Sequence, residues 1–166
     1  DDAVFTVQQF VLPRTFGLFY NQSQSRILRD EAVRQALTQA IDRDELVAAA
    51  LSGAGIPIDT PVPAGFAELQ STRTDAPSTT TPERILTAAG WVRNDAGSWE
   101  ITDGENVIPL RFTISTANNP IFDAVAAYLT DTFTDLGAEV TVDQYTQNDL
   151  VQAVIRPRTF DVLLFG

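Results

Sequence analysis

The last third of the sequence does most to restrict the fold, because short apolar strands alternate there with helix-period segments over links of a few residues. Residues 107–115 read as a strand, 120–136 as a helix closed by Gly137, 139–144 as a strand, 149–155 as a helix and 160–165 as a strand. Strands that alternate with helices in this way pair in parallel, through right-handed crossovers. A βαβαβ core is therefore expected. Within 120–136, Ile121, Val125, Leu129, Phe133 and Leu136 fall on one stripe, with Asp123, Asp131 and Asp135 elsewhere, the pattern of a helix that covers a sheet.

Upstream, Val4–Leu12 and Thr15–Asn21 are rich in Val, Phe and Tyr and are separated by Pro13, so they read as successive strands. Asp30 suits an N-cap and Glu31 the positive helix end. Val33, Ala36, Leu37, Ala40 and Ile41 then recur at helical spacing. Asp42, with Glu45 three residues on, opens a second helix carrying Leu46, Val47, Ala50 and Leu51, which Gly53 stops. From 53 to 81 the chain turns to Gly, Pro, Ser and Thr, the composition of a long irregular loop. Thr81-Pro82-Glu83 starts a third helix with proline at its first position, closed by Gly90. Trp91–Ile101, around Asn94-Asp95-Ala96-Gly97, reads as an inserted hairpin, with a further turn at Asp103-Gly104. The expected architecture is α/β: a mixed sheet with a βαβαβ core and an inserted hairpin, in a single domain over 1–166.

Composition narrows the chemistry. Eleven basic residues, all arginine, stand against twenty-two acidic ones, for a net charge of −11. Such a surface repels phosphate backbones, so nucleic acid is not expected as a partner. Histidine, cysteine, methionine and lysine are missing from the sequence. Thiol nucleophiles, Ser-His-Asp triads, Schiff-base lysines, the P-loop lysine and Cys/His zinc sites are thereby excluded within this chain. No cofactor is expected. No run of roughly 20 apolar residues crosses a membrane as a helix. The abrupt start at Asp1-Asp2, and the stop at Gly166 behind an apolar strand, suggest a piece of a larger protein.

Several polar groups invite a functional reading. Asp30 and Arg34 form an i, i+4 opposite-charge pair, and Arg43 lies beside Asp44 and Glu45, which reads better as helix support than as a ligand clamp. Acid pairs such as Asp42 with Asp44 or Glu45, or Asp131 with Asp135, fall on caps and solvent faces rather than in a carboxylate-based hydrolytic site. Asp95, Glu100, Asp103 and Glu105 do not follow the EF-hand spacing and read as turn residues. Trp91, Trp99 and Phe66 are assigned to packing or loop anchoring, whereas Tyr145, at the carboxyl end of a strand, is kept as a site candidate. Ser115-Thr116-Ala117-Asn118-Asn119-Pro120 carries more weight. It joins the carboxyl end of a parallel strand to a helix start, where open α/β sheets bind ligands. Ser115, Thr116, Asn118 and Asn119 are therefore ligand candidates, with helix capping by Asn119 compatible with that use.

The run LRDEAVRQALTQAIDRDELVAAALSGAG, preceded by Phe19-Tyr20-Asn21 and followed by Pro57 and Pro61-Val62-Pro63, resembles extracellular solute-binding proteins of family 5, the dipeptide, oligopeptide and nickel receptors of ABC importers. Ala88-Ala89-Gly90-Trp91, Leu136-Gly137-Ala138-Glu139-Val140 and Thr159-Phe160-Asp161-Val162 resemble further segments of that family in the same order. The resemblance implies the second, C-terminal-side lobe of a two-lobed periplasmic-binding-protein-like fold. It also implies a peptide or small-solute ligand held in the interlobe cleft, with no catalysis. Leu164, Phe165 and Gly166 would lie along that cleft, with leucine at 164 favouring apolar or backbone contact over a charged pocket. It further implies permease subunits as partners of the full-length protein, a monomer, and a location at the extracellular membrane face or in the periplasm with a lipid anchor. Two other readings stay open: a solute-sensing domain of a regulatory protein, and a carboxylate-based hydrolase.

Overall fold

A computed structural model of the chain describes residues 14–58 and 80–166. The strand expected over Val4–Leu12, the middle of the 53–81 loop and Phe66 lie outside the described residues. The observed order is β1 (Gly17–Tyr20), a 3-10 turn (Ile27–Arg29), α1 (Glu31–Ala40), α2 (Arg43–Leu51), α3 (Pro82–Ala88), β2 (Val92–Arg93), β3 (Trp99–Asp103), β4 (Asn106–Pro109), β5 (Arg111–Ala117), α4 (Pro120–Leu136), β6 (Glu139–Tyr145), α5 (Gln147–Asp149), a π-helical turn (Leu150–Ile155) and β7 (Val162–Phe165).

The main sheet runs β1-β7-β5-β6. Strands β7, β5 and β6 are mutually parallel, with Ile114 opposite Val162 and Val142, and β1 runs antiparallel along β7 with Gly17 opposite Phe165. Strands β2, β3 and β4 form a separate antiparallel sheet, the inserted hairpin. This is the mixed sheet with a βαβαβ core that the sequence implies.

Helix α4 lies against β5 and β6, and the edge-on pair of Phe112 and Phe133 fixes which face it covers. The π-helical turn packs on β5, burying Leu150 and Val154. Ile155 lies beside Leu163, whose neighbours Val162 and Leu164 point the other way, so both faces of the inner strands are covered. Helix α1 packs on α3 and α4, and α2 on α4.

Local chemistry sets the helix ends. Asp30 caps α1 by accepting from the Ala32 N–H, Asp42 caps α2 from Glu45, Thr81 caps α3 from Arg84, and Asn119 caps α4 from Ile121 and Phe122. Pro120 opens α4 and Gly137, in the left-handed region at φ 102°, closes it, as the sequence implies.

Two expectations are corrected. The strand expected over 107–115 is two strands, because Pro109 lacks an N–H and the chain changes sheets at Leu110, whose N–H goes to the Trp99 carbonyl and whose carbonyl accepts from Glu139. On α4 the stripe is set by Phe122, Val125, Ala126, Leu129, Phe133 and Leu136, while Ile121 is 43% exposed. One residue is about 100° of helical turn, so choosing Phe122 for the core carries Ile121 to the surface.

Gly137 gives the first testable consequence. A Cβ there would lie 2.7 Å from the Gly97 carbonyl oxygen and 3.1 Å from Trp99 Cδ1, in a left-handed backbone conformation. Gly137→Ala is expected to cost about 2 kcal/mol in chemical denaturation, since the obstructing oxygen is backbone and the strain adds to the clash. A loss below 0.5 kcal/mol, on the scale of a neutral surface change, would show that this junction yields freely.

Candidate functional site

The strand register brings the carboxyl ends of β5, β6 and β7 to one edge of the main sheet. Ala117 is opposite Tyr145, Thr116 is opposite Leu164, and Gly17 at the start of β1 is opposite Phe165. The start of α4 meets the same edge, with Ile121 exposed beside it. All the sequence candidates therefore converge on one rim, but at different depths.

Ser115, Thr116 and Leu164 are 3%, 0% and 2% exposed. The Thr116 hydroxyl donates to the Leu164 carbonyl at 3.1 Å, tying β5 to β7. Their side chains lie beneath the rim rather than on it, because β5 and β7 are inner strands covered on both faces. Asn118 is exposed, and its backbone N–H donates to the Tyr145 carbonyl at 2.8 Å. Asn119 spends its Oδ1 on the Ile121 and Phe122 N–H groups, at 2.9 and 3.3 Å. The first donors of α4 are thus already satisfied within the chain rather than left open to a ligand.

Tyr145, Phe165 and Gly166 are partly exposed. Burial raises the Tyr145 phenol above its ordinary value, and the neighbouring Asp143 carboxylate, by its charge and a hydrogen bond, adds to that. The phenol stays a neutral donor and acceptor at the rim. Gln144 Nε2 donates to Asp123 in the first turn of α4 at 2.8 Å, holding β6 against the helix start.

Two neighbours were not singled out in the sequence: Arg14 and Phe16. Arg14 Nη2 donates to the Gly166 carbonyl at 2.7 Å, and its guanidinium lies 5.0 Å from the centre of the Phe16 ring. Phe16 in turn meets Phe122 edge-on at 5.5 Å. Only the antiparallel pairing of β1 with β7 brings this segment to the rim, and periodicity in sequence does not show which strands pair.

The other polar candidates have structural partners. The Asp30 carboxylate accepts from Ala32 and, through its second oxygen, from Trp91 Nε1 at 3.0 Å. Arg34 Nη1 donates to the carbonyls of Leu28 and Arg29, so it secures the preceding turn. Asp42 caps α2, and its backbone carbonyl and the Glu45 carboxylate share the single Tyr128 hydroxyl proton, each at 3.2 Å. Asp131 and Asp135 are exposed on α4. Asp103 pairs with Arg26, and Glu100 accepts from Asn94. Trp91 and Trp99 are core residues, the latter donating from Nε1 to the Leu136 carbonyl at 2.7 Å. Two shallow surface depressions, of 470 and 520 Å³, lie away from the rim: one at the amino ends of β5 and β6, the other around Phe19, Ile155 and Leu163.

This arrangement, a parallel-stranded lobe with its loops and helix start gathered at the carboxyl ends of the strands, is that of periplasmic-binding-protein folds. The family of bacterial extracellular solute-binding proteins, family 5 (middle region), matches residues 1–166, and the chain belongs to it. No curated protein matches the chain in sequence. Among solved structures it is similar to NikA from Brucella suis in complex with Fe(III)-EDTA, at 24% identity and a TM-score of 0.76, covering 91% of this chain and 30% of that one. It is similar to the oligopeptide-binding protein AppA from Bacillus subtilis in complex with a nonapeptide, at 24% identity and 0.73, covering 90% and 30%. It is also similar to NikZ from Campylobacter jejuni in complex with Ni(L-His), at 22% identity and 0.71, covering 90% and 29%. At these identities the likeness is one of fold. The chain spans about 30% of the length of those proteins.

Proposed function

We propose that this chain is one lobe of a two-lobed solute-binding protein of an ABC importer, and that its rim is one wall of a cleft that captures a peptide or a related small solute. The observation that carries this reading is the convergence of Asn118, Asn119, Tyr145, Phe165 and Gly166 at the carboxyl edge of three parallel strands. Open α/β sheets bind ligands at that edge. Ser115, Thr116 and Leu164 shape the wall from beneath, through the β5–β7 ladder and the Thr116 hydroxyl.

The rim is a wall rather than a pocket, so affinity in this design comes from closing a second wall over the ligand. The whole protein, in this reading, works as a monomer that delivers its solute to permease subunits, outside the cell or in the periplasm and held by a lipid anchor. It performs no catalysis.

Native mass spectrometry of the full-length protein, purified without denaturation, beside this chain alone is the direct test. The expected outcome is extra mass on the full-length protein that fragments as a peptide, and none on the lobe. A full-length protein without bound species, even after incubation with mixed peptides and nickel chelates, would overturn the reading.

A further inference from the structure

We infer that the outer strand β1 carries a docking surface for one amphipathic helix of the full-length polypeptide, supplied from outside residues 1–166. Sheets with parallel inner strands are covered on both faces. On one face the cover here reaches the edge. Leu18 and Tyr20 are paired with buried Leu164 and Val162, and the Tyr20 phenol meets Thr38 of α1. On the other face the π-helical turn lies over β5 and, through Ile155, reaches Leu163 of β7, which is 5% exposed. The cover stops there. Phe19, directly opposite Leu163 on β1 and turned the same way, is 54% exposed.

Phe19, Ile155, Phe160 and Leu163 line a trough of 520 Å³ at this gap, and Ser23 and Arg158 bring polar groups to its margin. A helix with its side chains is about 10 Å across, roughly two strand spacings, which is the width left open over β1 and the outer side of β7. The occupant therefore has an apolar stripe for the trough and a polar outer face. This chain spans about 30% of the proteins similar to it in fold, which leaves most of their length to supply such a helix. A second copy of the chain fits worse, because a net charge of −11 sets two copies against each other. The trough lies at the far end of β1 from the rim, so this inference is independent of what the rim binds.

The test puts the photo-crosslinking residue p-benzoylphenylalanine in place of Phe19 in the full-length protein and maps the crosslinked peptides after irradiation. Beside it, Phe19→Cys in the same protein is probed by thiol labelling at that position. The expected crosslink joins position 19, within one molecule, to an apolar residue outside residues 1–166, in a segment with helical hydrophobic spacing. The Phe19→Cys thiol is expected to react at least about 10-fold more slowly in the native protein than in the urea-unfolded protein. A crosslink to residues within 1–166, to a second copy or to another protein, or no crosslink, would overturn the inference. So would a thiol that reacts as fast in the native protein as in the unfolded one. None of these outcomes touches solute capture at the rim, which the mass spectrometry tests separately.

Discussion

Replacing Asp30 by alanine is expected to destabilise the chain by about 3 kcal/mol. Two losses add. The cap on α1 contributes roughly 1 kcal/mol through the Ala32 N–H. The second oxygen takes the indole N–H of Trp91, which is 2% exposed, so truncation strands a buried donor at about 1–3 kcal/mol. For a chain of this size that is a fall in Tm on the order of 6–12 °C. Asp30→Asn separates the parts. Its amide oxygen can still cap, but the amide nitrogen then faces the indole N–H, donor against donor, so about half the loss should remain. An alanine variant within 1 kcal/mol of wild type in denaturant unfolding would show that Trp91 finds another partner.

The same contact shows how much of the fold was legible in the sequence. The capping role of Asp30 could be read locally, as could Asp42, Thr81, and the span of α4 from Pro120 to Gly137, because each depends on residues within one turn. The bond to Trp91 crosses 61 positions and leaves no periodic trace. Yet it joins two segments on which the family resemblance rests, the run from Leu28 and the Gly90-Trp91 pair. Arg34 departs from the sequence expectation for a related reason. Sequence offered it Asp30 at i, i+4, whereas carbonyls left open by the 3-10 turn lie within reach and bind it instead.

For the candidate site, topology could be read and depth could not. Alternation of strands and helices is enough to gather Ser115–Asn119, Tyr145 and Leu164–Gly166 at one edge. Nothing in a strand covered on both faces distinguishes a rim residue from a buried one, since Thr116 and Leu164 share one face, Ser115 takes the other, and all three are interior. Phe122 and Ile121 pose the same ambiguity at the start of α4. Both are apolar, and only the packing of Phe16 against Phe122 decides which one turns inward.

Asn21 should prove still less replaceable than Asp30. It is 8% exposed at the end of β1, and its amide makes four hydrogen bonds: Nδ2 donates to the carbonyls of Arg158 and Phe160 at 2.9 and 2.8 Å, and Oδ1 accepts from the N–H groups of Ser23 and Gln24 at 3.1 and 3.3 Å. Its own N–H goes to the Asp161 carbonyl. One side chain therefore clips the turn after β1 to the segment that leads into β7, where Arg158 sits at φ 60°. Asn21→Ala leaves these four backbone groups without that partner and is expected to cost about 3–4 kcal/mol. Asn21→Asp keeps the shape and the two accepted bonds but sets a carboxylate oxygen against two carbonyl oxygens. That geometry favours the protonated acid, which can donate to one of them, so the folded-state pKa of the new acid lies above its unfolded value of about 3.9. The penalty relative to wild type should then be small below pH ~4, grow as pH rises through the folded-state pKa, and level off above it. Unfolding of both variants and wild type from pH 3.5 to 8 reads this directly. A penalty in Asn21→Asp that does not change over that range would mean that the amide nitrogen is not what holds the two carbonyls, and that the clip between β1 and β7 depends on the backbone alone.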